Sequence, residues 1–319
     1  YPQRPSEMFN RLDNNGFDIH AIDKQIRRVQ SDHKIQALLT YGRFVREKSD
    51  WSINGVEFQV GTKANLRPIE EYPHKHADDL TGCITIVEKP FIDQSGKVPE
   101  GMYQLVFDAY YKDDAEDRTS LFDFRVFKQD NNLNPTFTRV PVAWGTMRPT
   151  RLVTCYEQMF MMCDYYNCTA QGEISGGGKG VLDYAKAKHL LHRVEYEPEM
   201  LHNKEIATRQ KSRSYLMNMT TDRKRMGMTY LEQWHVEPIG LTEDGEEVRV
   251  IDKIYDIGLL RELRKGGLNN SDRMSSCLIA MFMLKENVIK TVQNRQQNNT
   301  FFDRVLYADS YSQETTTLY

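Results

Sequence analysis

Three observations predict an α/β protein in which a mixed sheet is flanked by helices. Short strand-like runs over residues 102–108, 121–128 and 137–144 follow one another through polar loops. Longer apolar runs over residues 151–166 and 272–286 have the length and spacing of helices. The 319 residues are 39% hydrophobic, enough for a substantial core.

In chain order, residues 19–30 and 36–47 carry apolar side chains at three- and four-residue intervals and predict helices. A short strand is expected over residues 83–88. Lys89-Pro90 and the phrase Ser95-Gly96-Lys97-Val98-Pro99-Glu100-Gly101 form a turn-rich joint. The expected organisation is therefore a mainly helical lead-in over residues 1–95, serving as linker or accessory region, a main domain over residues 96–289, and a polar tail over residues 290–319 rich in Gln, Asn and Thr. Three consecutive strands after the joint imply an antiparallel meander. Pro149-Thr150 starts a helix, residues 168–174 form a fourth strand, and another helix follows Gly176, Gly177 and Gly178. Residues 255–265 are helical, Gly266-Gly267 breaks them, and Met274, Cys277, Leu278, Met281 and Leu284 recur along one face of a last helix. Strand, strand, strand, helix, strand, helix is the order expected of an RNase H-like core.

No stretch approaches the roughly 20 apolar residues that span a bilayer, and Tyr1 to Glu7 hold no apolar signal core, so a cytosolic protein without membrane partners is expected. The chain begins inside a Pro-rich polar phrase and reads as part of something longer. Its five cysteines, Cys83, Cys155, Cys163, Cys168 and Cys277, have irregular spacing with no CxxC pair, which points to reduced thiols. A net charge of −3 argues against a generic nucleic-acid coat. Yet between Asn203 and Arg225 seven cations, Lys204, Arg209, Lys211, Arg213, Arg223, Lys224 and Arg225, face only Glu205 and Asp222. Such a run either faces solvent or contacts DNA phosphates, where counterion release supplies sequence-independent affinity.

The candidate chemistry rests on carboxylates. Asp108 ends an apolar strand, where a carboxylate is a poor strand former and costly to bury alone. Glu173 closes another strand just before a glycine-rich turn. Asp272 lies in the first turn of a helix, a position favoured by capping and the macrodipole alone. Taken singly, each has an ordinary explanation as a turn or capping residue. In an RNase H-like sheet, however, strand ends one and four lie side by side with a late helix across them, so the three acids converge. Converging carboxylates repel unless divalent cations occupy them, and two ions suit phosphodiester hydrolysis.

These residues also carry a family resemblance. The chain is similar to the C-terminal nuclease half of the large terminase subunit of tailed bacteriophages. Tyr1-Pro2-Gln3-Arg4-Pro5-Ser6-Glu7-Met8-Phe9 resembles the phrase that follows that family's ATPase domain. The strand ending in Asp108 with the loop acid Asp117 resembles the first nuclease motif, Gln171-Gly172-Glu173 and its glycines the second, and Asn270-Ser271-Asp272-Arg273-Met274 the third. Where family members often have a Pro or Ser and a Gly-containing loop, this chain has Ala109-Tyr110-Tyr111, so the accessory acid is Asp117 or, alternatively, Glu116 or Asp113. The resemblance implies a nuclease using two Mg2+ or Mn2+ ions on Asp108, Glu173 and Asp272 to cut double-stranded DNA during genome packaging in the host bacterial cytoplasm. It implies as partners the portal protein, the small terminase subunit and the ATPase half of the same chain. Alternatives are a portal- and DNA-docking module that cleaves weakly in isolation, and another RNase H-like nuclease such as a resolvase or integrase.

Other signals carry less. Gly176-Gly177-Gly178-Lys179-Gly180 lacks the GxxxxGK[ST] spacing of a phosphate loop and suits a flexible turn approaching DNA; no ATPase activity is expected. His74-Lys75-His76, and His189 with His192, lack a third ligand. Tyr156, Met159, Phe160, Met161 and Met162 suit a packed helix better than a cofactor box.

Overall fold

The computed structural model describes residues 16–47, 49, 52–62, 66, 68–70, 81–111, 120–201, 214–242, 244–266 and 271–287. Strands β1 (Thr40–Val45), β2 (Glu57–Val60), β3 (Cys83–Ile86), β4 (Tyr103–Asp108), β5 (Phe122–Lys128), β6 (Pro141–Met147) and β7 (Ala170–Gly172) form a seven-stranded sheet in the order β2-β1-β3-β6-β5-β4-β7. β4, β5 and β6 make the expected antiparallel meander, and β7 lies parallel to β4. The parallel pairing needs a crossover, which the helix α3 (Val153–Tyr166) supplies.

Period-two alternation sends the two sides of each strand into different surroundings. Leu105, Phe107, Phe122, Phe124 and Val126 pack against Cys155, Met159, Phe160 and Met162 of α3, all buried, together with Val181 and Ala185 of α4 (Gly178–Ala187). Val106 and Phe127 belong instead to a second core. That core is built from α1 (Ile19–Ser31), α5 (Thr221–Trp234), α6 (Ile257–Arg264) and a helix over residues 272–287, here α7. The protein is thus a mixed α/β fold with helices on both sheet faces. The aromatic and methionine run of α3 is core, as its spacing predicts.

Local chemistry explains where helices start and stop. Asp18 caps α1 by accepting from the Ala21 N–H at 3.0 Å, and Asp256 caps α6 by accepting from Gly258 at 2.9 Å. α3 ends at Asn167, in the left-handed region at φ 47°, with its N–H turned back onto Asp164 and Cys163.

The lead-in departs from expectation. The helix predicted over residues 36–47 is instead the end of a six-residue helix, α2 (His33–Leu38), followed by β1. Its apolar residues serve a strand whose Phe44 is clamped on both sides, N–H and C=O, by the Gln158 amide of α3 at 2.8 and 2.9 Å. The region before residue 95, expected to be mainly helical, contributes β1 and β2 as well as the expected strand β3 to the same sheet as β4 to β7. The turn-rich joint is a loop between strands, with Asp93 accepting from the Ser95 and Lys97 N–H groups at 2.8 and 3.1 Å.

Three smaller differences follow. The third strand of the meander starts at Pro141, not at residue 137, because Phe137 and Arg139 take positive φ. The fourth strand is shorter than predicted, with Glu173 continuing only as a bridge to Met217. A hairpin, β8 (Pro238–Leu241) and β9 (Glu247–Arg249), lies in a stretch to which the sequence reading assigned no strand. The five cysteines are buried and none is in a disulfide. Among the described residues no helix is long and apolar enough to cross a membrane. Tyr1 to Phe9 and the tail over residues 290–319 lie outside the described residues.

Candidate functional site

Parallel neighbours end at the same edge of a sheet, and this brings two of the expected acids together. Phe107 of β4 pairs with Gly172 of β7, so Asp108 and Glu173 are the next residues of adjacent parallel strands. Asp272 arrives from the other side in the first turn of α7, its Oδ2 accepting the Leu121 N–H, just before β5, at 2.7 Å. The glycine run closes the arrangement. Gly176 sits at φ 61°, and a Cβ on Gly177 would collide with the carbonyl oxygens of Ala109 and Tyr110. Gly177 therefore packs closely on the chain leaving β4.

Electrostatics register the proximity. Burial raises the Asp108 carboxyl well above its ordinary range, and the charges of Asp272, Glu173 and Asp123 raise it further, while Lys224 opposes them. Burial lifts Asp272 to about 7 against the hydrogen bond from Leu121; Glu262 and Asp123 add to the rise and Arg273 opposes it. Buried carboxyls raised by neighbouring acids are enriched at functional sites.

Beneath them lies a charged layer that sequence reading missed. Asp123 stands directly across from Asp108 in the β4–β5 register and is fully buried. Arg125, two residues on and also fully buried, grips Asp123 through Nε and Nη2 at 2.8 and 2.7 Å. Arg125 also donates to Ser276 of α7 at 3.1 Å and reaches Asp256 at 3.3 Å. The Thr146 hydroxyl donates to Asp123 at 2.8 Å, and Ser276 donates to it as well. Arg273 of α7 pairs with Glu262 of α6 at 2.7 Å, and Glu262 also accepts the Met274 N–H at 3.0 Å. These bonds tie the first turns of α7 to β5 and α6, and so hold Asp272 beside Asp108. One signal was visible: two opposite charges two residues apart inside the apolar phrase Phe122-Asp123-Phe124-Arg125-Val126-Phe127.

The donor set, all carboxylate oxygen, matches hard divalent cations such as Mg2+ and Mn2+. Among the described residues no group of three or more His, Cys, Asp or Glu is placed so that it could hold a metal ion. The hydrogen bonds show how the acids are engaged: Glu173 accepts from the Ser175 hydroxyl and pairs through Oε2 with the Lys224 ammonium at 3.2 Å, and Asp272 is on Leu121.

The basic segment divides. Lys204, Arg209, Lys211 and Arg213 lie outside the described residues, as do Asp113, Glu116 and Asp117. Arg223 is bound to Glu197 and to the carbonyls of Asn218 at 2.6 Å and Leu201 at 3.4 Å. Arg225 faces solvent beside Asp222 at 3.3 Å. Lys224, by contrast, points into the carboxylate site. At the same end of the sheet Arg148 stacks over Tyr110, 3.8 Å from the ring centroid, and donates to the Ser120 carbonyl at 2.9 Å. No protein-family model matches the chain, and no curated protein matches it.

Proposed function

We propose that this protein is a metal-dependent endonuclease of RNase H-like fold that cuts duplex DNA, with Asp108, Glu173 and Asp272 as its metal-holding acids. The observation that carries the reading is the approach of an acid from β4, one following β7 and one from α7 at a single edge of the sheet, the first raised chiefly by its burial and further by the charges of the other two. The meander β4-β5-β6 with β7 parallel beside β4 supports the fold assignment.

Two Mg2+ or Mn2+ ions held by these carboxylates would activate a water and neutralise the leaving oxygen of a phosphodiester. The chain's own contribution is positional. Asp108 is held by strand pairing, Glu173 by the packed glycine turn, and Asp272 by Leu121 and by the anchoring of α7 on Asp123 and Arg125. In the resemblance to the large terminase subunit, cutting serves genome packaging in the host bacterial cytoplasm, with the portal, the small subunit and an upstream ATPase half as partners. A docking module that cleaves feebly in isolation is the second reading, favoured by one observation: Glu173 is already engaged by Ser175 and Lys224.

Supercoiled plasmid incubated with Mn2+ or Mg2+ tests both. The nuclease reading expects nicked and linear products that vanish in EDTA and in Asp108→Asn; full activity in chelator would sink it. Feeble cleavage with intact DNA binding would favour the docking module. Because the GxxxxGK[ST] spacing is absent from the sequence, no ATP turnover is expected.

A further inference from the structure

We propose that Lys224 is the resident counter-cation of the carboxylate site, and that it couples divalent-ion binding to DNA by moving its ammonium from Glu173 to an arriving phosphate. The inference rests on the nuclease reading above and assigns Lys224 a role within the site rather than general affinity. The three consecutive cations at the start of α5 are chemically alike and geometrically different. Arg223 is consumed by Glu197 and two carbonyls, Arg225 faces out beside Asp222, and Lys224 alone meets Glu173, at 3.2 Å.

The backbone beneath Lys224 is fixed while its side chain is free to move. Thr220 caps α5, accepting the Arg223 N–H at 3.4 Å through its hydroxyl and the Lys224 N–H at 2.8 Å through its carbonyl. The Lys224 side chain is 52% exposed, so the ammonium can leave Glu173 without unpacking anything. Lysine suits this exchange because it is a compact charge on a flexible stem, with no fork geometry to lose. The carboxylate oxygen that Lys224 occupies is one that a divalent ion needs, so ammonium and ion compete for Glu173. A phosphate that draws the ammonium away frees that oxygen, and by linkage a bound ion releases Lys224 to the phosphate. Half-exposed ion pairs are weak, so the coupling is several-fold, not orders of magnitude.

The test is Mn2+ binding to the full chain, followed by electron paramagnetic resonance with and without a short phosphorothioate duplex that resists cleavage. Lys224→Met is expected to bind Mn2+ up to roughly fivefold more tightly than wild type in the absence of DNA, the scale of an exposed ion pair. It should also gain less from the duplex. Lys224→Arg should behave more like wild type, and Arg225→Met should match it. Equal Mn2+ affinity in wild type and Lys224→Met overturns the role of Lys224 and leaves the metal site standing. Wild type that binds no more Mn2+ than Asp108→Asn overturns the nuclease reading and this inference with it.

Discussion

The two faces of the central sheet are built on opposite principles. Under α3, Phe107, Phe122, Phe124, Met159, Phe160 and Met162 meet with no charged partner among them, and burial of each such side chain contributes about 1.5–3 kcal/mol. On the other face, Asp123, Arg125, Asp256, Glu262 and Arg273 are buried in mutual ion pairs. A buried pair seldom stabilises more than a well-packed apolar equivalent, since desolvation offsets the attraction. The charged face therefore has another use: it fixes how α7 sits on β5, and hence where Asp272 stands relative to Asp108. The first face is apolar throughout this patch, whereas the second sets a charged layer beside its own apolar core of Val106, Phe127 and the helices around them.

The sharpest way to break that contrast is at the site itself. Asp108→Asn keeps the size and removes the charge that would hold cations, so plasmid cleavage should fall by orders of magnitude while circular dichroism stays native. A folded variant cutting at the wild-type rate would show that the convergence is not the active site.

Next in size is the charged layer. Arg125→Met leaves Asp123 buried without its bidentate partner and should cost about 3–5 kcal/mol in urea unfolding. Restoring neutrality with Asp123→Asn in the same chain should recover much of the loss. Equal stability in the single and double variants would show that the pair is not coupled.

The acids predict a pH signature of the metal-free protein. Asp272 is raised in the folded state from 3.8 to about 7, so the folded protein holds this proton more tightly than the unfolded one. Its contribution to stability is full below about pH 4, falls as pH rises to about 7, and is level above that. At about 1.4 kcal/mol per unit the ceiling is roughly 4 kcal/mol. In EDTA, Asp272→Asn should therefore be more stable than wild type at pH 8, with the difference shrinking toward pH 4. The same sign at every pH with no slope would separate a packing effect from titration.

The smallest effect expected lies on the apolar face. Met159→Leu should cost less than about 1.5 kcal/mol and leave cleavage unchanged, because volume-conserving swaps in an apolar core are tolerated. A drop in activity there would mean that the two faces are not as separable as their chemistry suggests.

Much of the fold was legible because periodicity is local. The strands ending in Asp108 and Lys128, the helix of Met159 and Phe160, and the late helix opening at Asp272 could each be recognised from a dozen residues of pattern. Asp108 and Glu173 could be placed at strand ends, and Asp272 at a helix start, for the same reason. What only the tertiary structure decided depends on partners far apart in the chain. Residues 40–45 became a strand because Gln158 and β3 stand beside them, which no local window contains. Asp123 and Arg125 are tolerated in a buried strand because Asp256, Thr146 and Ser276 reach them from elsewhere. Arg223, Lys224 and Arg225 look alike in sequence and separate only when Glu197, Glu173 and solvent surround them. Pattern reports which side chains avoid water; which opposite charges meet is decided by the packing that brings distant segments within hydrogen-bond reach.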